Sequence, residues 1–264
     1  MQNGAINIAI KAARGAGQVI MRSLPKRDSL PIIEKAQNDF ATEVDRAAEM
    51  TILRELKRAF PTHAFLAEES GAAGKSRYVW VIDPLDGTSN FIRGFPHFSV
   101  SIALTYDNEP LLGVIYDPLR DELFAAEKGR GAVHNDRKLR IGTRKALDGC
   151  LLTTGFPFRE KRHLDAHMAM TKSLMGQAED IRRTGSAALD LAYVACGRFD
   201  GYYELGLRPW DMAAGVLLVR EAGGKCWDFR GGQNFMETGN IIAGNLKVGE
   251  DMLKLIEPHL TITM

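Results

Sequence analysis

The sequence predicts an α+β fold on three observations: two helical patterns at the start, a crowd of short strand-like runs after them, and a second half in which helix and strand patterns alternate. In the first helix Ile6, Ala9, Ile10, Ala13, Ala16, Gly17 and Ile20 recur at helical spacing, with Asn3 as candidate cap and Pro25 as stop. Gly15 and Gly17 weaken that helix, so close packing is expected to be their use. A second helix is expected at about residues 42–59, with Val44, Ala47, Ala48, Leu56 and Ala59 facing inward and Pro61 closing it. Strand-like runs follow at 64–67, 78–82, 98–105, 111–116, 122–126 and 132–134, the last before an Asn135-Asp136 turn. Two helices packed on a largely antiparallel sheet thus describe residues 1–140. Residues 141–264 read as an α/β half: strand 150–153, helices at about 162–175 and 187–195, strand 201–204, helix 210–222, strands 225–228 and 241–243, and helix 246–256. No Pro/Gly/Ser linker parts the halves, so they should share a tight interface, a usual place for a small-molecule site.

Composition narrows the function classes. With 264 residues, 45% hydrophobic and 25% charged, the chain is neither disordered nor fibrous. Its 34 Lys+Arg against 33 Asp+Glu leave a net charge of +1, which gives no global field to attract nucleic acid or an anionic membrane. Cys150, Cys196 and Cys226 are far apart and odd in number, as expected of free thiols in a reducing compartment. The start lacks a basic end followed by an apolar core, and no apolar run approaches the roughly 20 residues needed to span a bilayer. A cytoplasmic chain without membrane contact is expected.

Most of the chemical information lies in Tyr78-Val79-Trp80-Val81-Ile82-Asp83-Pro84-Leu85-Asp86-Gly87-Thr88. Its apolar run reads as a buried strand, and Asp83 and Asp86 stand at the C-terminal exit, where sheet folds place ligands. Pro84 is expected to stop the strand and turn the chain, while Gly87 lets backbone come close to a ligand. A helix starting near Thr88 would aim the amides of Gly87 and Thr88 at one spot beside the two carboxylates. Two carboxylates repel a phosphate, so the pair makes sense with hard divalent cations between them and the anion. Ordinary turn and cap chemistry explains this segment equally well when it is taken alone. Three further acidic positions tip the balance: Glu68 at another strand end, Asp45 in the first turn of the second helix, and Asp211 after Pro209-Trp210 at a helix start. Read singly, dipole stabilisation suffices for Asp45 and capping for Asp211.

Together, Glu68-Glu69-Ser70, Asp83-Pro84-Leu85-Asp86-Gly87-Thr88 and Trp210-Asp211 resemble the inositol monophosphatase family of magnesium-dependent, lithium-sensitive phosphatases, over nearly the whole chain. The stretches 183–193 and 203–211 are most similar to a bacterial branch of it. The resemblance implies a layered αβαβα sandwich, usually a homodimer, with the metal-binding core in the N-terminal half and the C-terminal half completing the substrate pocket. It implies that Glu68, Asp83, the Leu85 carbonyl and Thr88 hold one Mg²⁺, that Asp83, Asp86 and Asp211 hold a second, and that Glu68 reaches a third, weaker ion through water. Asp45 would support the Thr88 hydroxyl and a water. The Gly87 and Thr88 amides would take phosphate oxygens, and Gly185, Ser186, Ala187 and Glu204 would line a polyol pocket.

The implied reaction is hydrolysis of small polyol phosphate monoesters, inositol 1-phosphate first. A metal-activated water would attack with Glu68, Thr88 and Asp45 as the catalytic group, while Asp86 and Asp211 stand beside the substrate. Fructose 1,6-bisphosphate and phosphoadenosine nucleotides stay open as substrates, since related phosphatases share the same core. A reading of another class also stays open: a binding factor for RNA or for RNA polymerase in antitermination, with Arg159, Lys161, Arg162, Arg182, Arg183 and Arg208 as its local basic character. A solvated face explains those residues as well. His97 is expected to be structural, and no His spacing suits Zn²⁺.

Overall fold

Side chains along the central strands alternate between two separate cores, and that alternation stacks the layers. The computed structural model describes residues 4–36, 39–158 and 161–261, with backbone alone at 29, 32–36 and 39–40. Asn3 and Arg159 lie outside the described residues. In chain order the strands are β1 (Ile32–Ala36), β2 (Asp39–Thr42), β3 (Ala64–Ala67), β4 (Gly71–Ala73), β5 (Tyr78–Asp86), β6 (Ser99–Tyr106), β7 (Glu109–Asp117), β8 (Glu122–Glu127), β9 (Gly131–His134), β10 (Arg137–Lys138), β11 (Leu151–Thr154), β12 (Asp180–Arg182), β13 (Gly201–Glu204), β14 (Lys225–Trp227) and β15 (Ile241–Gly244). The helices are α1 (Ala5–Ser23), α2 (Glu43–Ala59), α3 (Thr88–Arg93), α4 (Leu164–Met175), α5 (Ala187–Ala195), α6 (Pro209–Glu221), α7 (Phe235–Thr238) and α8 (Leu246–Ile256).

An eight-stranded sheet runs β10-β9-β8-β7-β6-β5-β3-β4, antiparallel except for the β3/β5 pair. A five-stranded sheet runs β12-β11-β13-β15-β14, parallel across its first three strands and antiparallel beyond. Trp80, Ile82, Val100, Ile102 and Val114 face one way and pack under α1 and α2. Val81, Ala103, Ile115 and Phe124 face the other way and meet α5 and α6, which also cover Tyr202, Ile241 and Ala243 of the small sheet. The far side of that sheet, with Leu152, Tyr203 and Ile242, is closed by α4 and α8. The stack is therefore helix, sheet, helix, sheet, helix: the αβαβα sandwich. Each fully buried large apolar side chain in these cores contributes about 1.5–3 kcal/mol.

Close approach, expected of the α1 glycines, recurs in the middle layer. A Cβ on Gly17 would stand 2.6 Å from the Tyr116 ring, and one on Gly15 would stand 3.3 Å from Thr51 of α2. Gly113 of β7 lies so close to α6 that a Cβ would come within 2.8 Å of the Ala214 carbonyl oxygen. The three cysteines are free thiols, as expected. Among the described residues no helix is long and apolar enough to cross a membrane.

Two expectations are corrected. Pro84 does not end the strand: β5 continues to Asp86 through a bulge, since Asp83 pairs with Ser101 and Asp86 with Ser99, leaving one extra residue on β5. A bulge is where a proline, lacking an N–H, is tolerated inside a sheet. The β1/β2 hairpin, β4, β10, β12 and α7 were not expected. The helix expected from about 162 begins with a 3₁₀ turn at Lys161–His163 and becomes α-helical only at Leu164.

Candidate active site

The C-terminal ends of the parallel strands and the N-termini of three helices meet at one cleft. Glu68 follows β3, Asp83 to Asp86 form the bulged end of β5, Thr88 opens α3, Ser186 caps α5, Glu204 ends β13, and Asp211 lies in the first turn of α6. This is the placement expected for a ligand site in sheets with parallel strands. The cleft is concave and open to solvent, the shape in which small molecules bind. Glu68, Asp83, Leu85, Asp86, Gly87 and Thr88 line it from the large-sheet side, and Gly185, Ser186, Ala187, Glu204 and Asp211 line it from the other. Of the site residues named from the sequence, Asp45 alone is absent from the cavity wall. It is fully buried behind Thr88.

Local hydrogen bonds fix these side chains. Thr42 caps α2 and forms a reciprocal box with Asp45, whose Oδ2 accepts the Thr42 N–H at 2.8 Å and the Thr42 hydroxyl at 2.6 Å. The other oxygen, Oδ1, is 2.9 Å from the Thr88 hydroxyl, which is also 2.9 Å from the Leu85 carbonyl oxygen. Gly87 holds a left-handed φ of 93°, and a Cβ there would press on the His97 carbonyl at 3.0 Å. Asp86 accepts the Ser186 hydroxyl and, at 2.8 Å, the Ala188 N–H, so the start of α5 is tied to the end of β5. Asp211 accepts the Arg208 N–H at 2.6 Å. Capping and cavity lining, which the sequence left as alternatives for Asp211, are both present. Tyr202 donates to Glu204 Oε2 at 2.7 Å.

The electrostatics are those of an acidic site short of positive charge. Burial pushes the Asp83 carboxyl well above the usual range, and the charges of Glu68, Asp86 and Asp211 push it further. Burial raises Asp86 to about 6 against the opposing hydrogen bonds from Ser186 and Ala188. Glu204 rises to about 7, again through burial, with Tyr202 and Arg183 acting the other way. Carboxylates gathered at this cost are a fitting seat for divalent cations. Among the described residues no three His, Cys, Asp or Glu side chains already form a closed metal cage. Hydroxyl, carbonyl, water and phosphate oxygens would therefore have to complete any coordination. That donor set suits Mg²⁺, which keeps waters and shares substrate phosphates, and does not suit Zn²⁺.

Sequence reasoning missed five cavity contributors: Ser89, Gly155, Phe158, Arg183 and Leu207. Arg183 was named among the basic residues and at the head of the 183–193 stretch, without a role in the cavity. Gly155 carried no signal, yet a Cβ there would lie 2.0 Å from the Glu204 carboxylate. Asp190 was also missed. It is fully buried and accepts the Thr184 hydroxyl at 2.6 Å, holding the loop before α5. His97 is structural, as expected: buried, edge-on to Tyr193, with its ring lowered to about 4 chiefly by burial.

Comparison with known proteins agrees with this geometry. A sequence model of the inositol monophosphatase family matches residues 1–260. The protein called Nus factor SuhB in Xylella fastidiosa is 53% identical over 262 residues, covering 97% of this chain and 95% of that one. The crystal structure of the extragenic suppressor protein suhB from Bartonella henselae superposes with a TM-score of 0.95 at 41% identity, covering 98% and 100% of the two chains. An inositol monophosphatase from Anabaena (Nostoc) superposes with a TM-score of 0.87 at 39% identity, covering 98% and 97%.

Proposed function

The chain belongs to the inositol monophosphatase family, and on that premise we propose that it hydrolyses phosphate monoesters of small polyols, inositol 1-phosphate first, with Mg²⁺ as cofactor. One observation carries the reading: Glu68 after β3, Asp83 and Asp86 at the end of β5, and Asp211 at the start of α6 line one cavity together with Gly87 and Thr88. Glu68, Asp83, the Leu85 carbonyl and Thr88 would hold one cation, and Asp83, Asp86 and Asp211 a second, with a third reached from Glu68 through water. When bound, these ions supply the charge that acidifies a water and stabilises the departing alkoxide.

The rest falls to the chain. The Thr88 hydroxyl, bonded to Asp45 Oδ1, orients the attacking water and gives its proton a path toward Asp45. Amides of Gly87 and Thr88 steady phosphate oxygens. Glu204, with Gly185, Ser186 and Ala187 beside it, accepts hydrogen bonds from polyol hydroxyls. Arg183 partly offsets the Glu204 charge. Phosphate release from inositol 1-phosphate should vanish in EDTA, return with Mg²⁺, and fall when Li⁺ is added. Faster release from fructose 1,6-bisphosphate or phosphoadenosine phosphate would move the substrate assignment within the same chemistry. A homodimer is the assembly this reading carries, and sedimentation measures it.

A second reading rests on the relatives called Nus factor SuhB: a role in transcription antitermination, with RNA or RNA polymerase as partner. Lys161, Arg162, Arg182, Arg183 and Arg208 are exposed in the second half, although Arg182 is paired with Asp180. Such binding should weaken with salt and ignore Asp86→Asn.

A further inference from the structure

Glu49 is a carboxylate in the body of α2, only 3% exposed. It lies one turn beyond Asp45, on the face that otherwise buries Val44, Ala48, Ile52 and Leu56. An apolar residue would fill such a position without the cost of burying a charge, so the carboxylate is informative. Its Oε2 accepts the backbone N–H of Glu69 at 2.8 Å. The N–H of Glu68 itself is bonded to the Ile82 carbonyl at 3.1 Å. The backbone on either side of Glu68 is thus pinned, once to β5 and once to α2.

The same helix reaches the site a second time, through Asp45 and the Thr88 hydroxyl. One rigid helix therefore sets the separation of Glu68, in the turn after β3, and Thr88, at the start of α3, two side chains that the reading above assigns to one cation. We propose that Glu49 is a positioning residue: its carboxylate oxygen holds the Glu68-Glu69 turn so that the Glu68 side chain meets the ion together with Thr88. The inference rests on the metal reading of the site.

The test is Mn²⁺ binding to the purified full-length protein, read by electron paramagnetic resonance, for wild type, Glu49→Gln and Glu49→Asp, with thermal melts alongside. Gln keeps an acceptor oxygen at the right reach and loses the charge, whereas Asp keeps the charge and falls one methylene short. The expected result is a Kd raised about tenfold by Glu49→Asp, as for other residues that orient metal ligands, and changed by less than about threefold by Glu49→Gln. Unchanged affinity in Glu49→Asp, even with a lowered melting temperature, would reduce Glu49 to a stability role and overturn the proposal. Glu49→Gln weakened as much as Glu49→Asp, or more, would also overturn it, by showing that charge and not reach is at work. Wild type that binds no Mn²⁺ would instead bring down the metal reading itself.

Discussion

Glu204 illustrates how one side chain's task depends on its neighbours. Its carboxylate is held by Tyr202 and seated against a bare Gly155 Cα. Glu204→Ala should lower kcat/KM for inositol 1-phosphate by about 10- to 100-fold, the loss of one or two charge-assisted hydrogen bonds, and alter a simple aryl phosphate by less than about threefold. Equal losses on both substrates would remove Glu204 from the polyol pocket. Gly155→Ala should reproduce the same selective loss by driving the carboxylate out of its seat, and normal kinetics in that variant would show that Glu204 has room to move. The acidic residues were legible because the Asp83-to-Thr88 segment, ambiguous alone, joins further acidic positions at Glu68, Asp45 and Asp211 in one pattern. Gly155 was not, because the reason for a missing side chain lies in a contact across the sheet, from β13. Asp211 stood between: its helix-start chemistry was plain, but residue spacing could not bring it to Asp83 without the family resemblance.

Among the elements, α4 carries a buried acid-sensitive side chain. Its His167 is fully buried, stacked on Tyr203 at 5.5 Å and edge-on to Phe156 at 5.6 Å, and neither ring nitrogen has a hydrogen-bond partner among the described residues. Burial lowers its ring to about 4. Between that value and the unfolded value near 6.5, the unfolded chain binds the extra proton, so the contribution to stability is complete above about pH 6.5 and is lost as pH falls toward 4. The loss is on the order of 3 kcal/mol when complete. Urea unfolding should show His167→Phe as no less stable than wild type at pH 7.5 and clearly more stable at pH 5. An unchanged gap between the two pH values would mean that the ring titrates normally. Helix α2 was readable because its first-turn Asp45, apolar stripe and closing proline all agree. The β1/β2 hairpin was not, since Ile-Ile-Glu-Lys-Ala does not alternate, and β12 is a three-residue edge strand too short to leave a pattern.

At the scale of the molecule, the two sheets clasp α5 and α6, and that middle layer delivers Ser186 and Asp211 to the same cleft as Asp83 and Asp86. The α+β class and its two textures were visible in the periodicities. The stacking order was not, because it depends on which face of each sheet the middle helices cover, and short strands show alternation without saying what lies on either side. The account's central claim is that carboxylates from distant parts of the chain hold divalent cations for phosphate ester hydrolysis. Its most direct measurement is the rate of phosphate release from inositol 1-phosphate by metal-stripped protein as Mg²⁺ is restored, in wild type and Asp86→Asn. Stripped protein should show no turnover, and wild type should recover fully as Mg²⁺ returns. Asp86→Asn should keep at least a 100-fold deficit, about 2.7 kcal/mol, while its circular dichroism stays native. Turnover by Asp86→Asn at the wild-type rate in saturating Mg²⁺, or undiminished turnover by the stripped wild type, would contradict it.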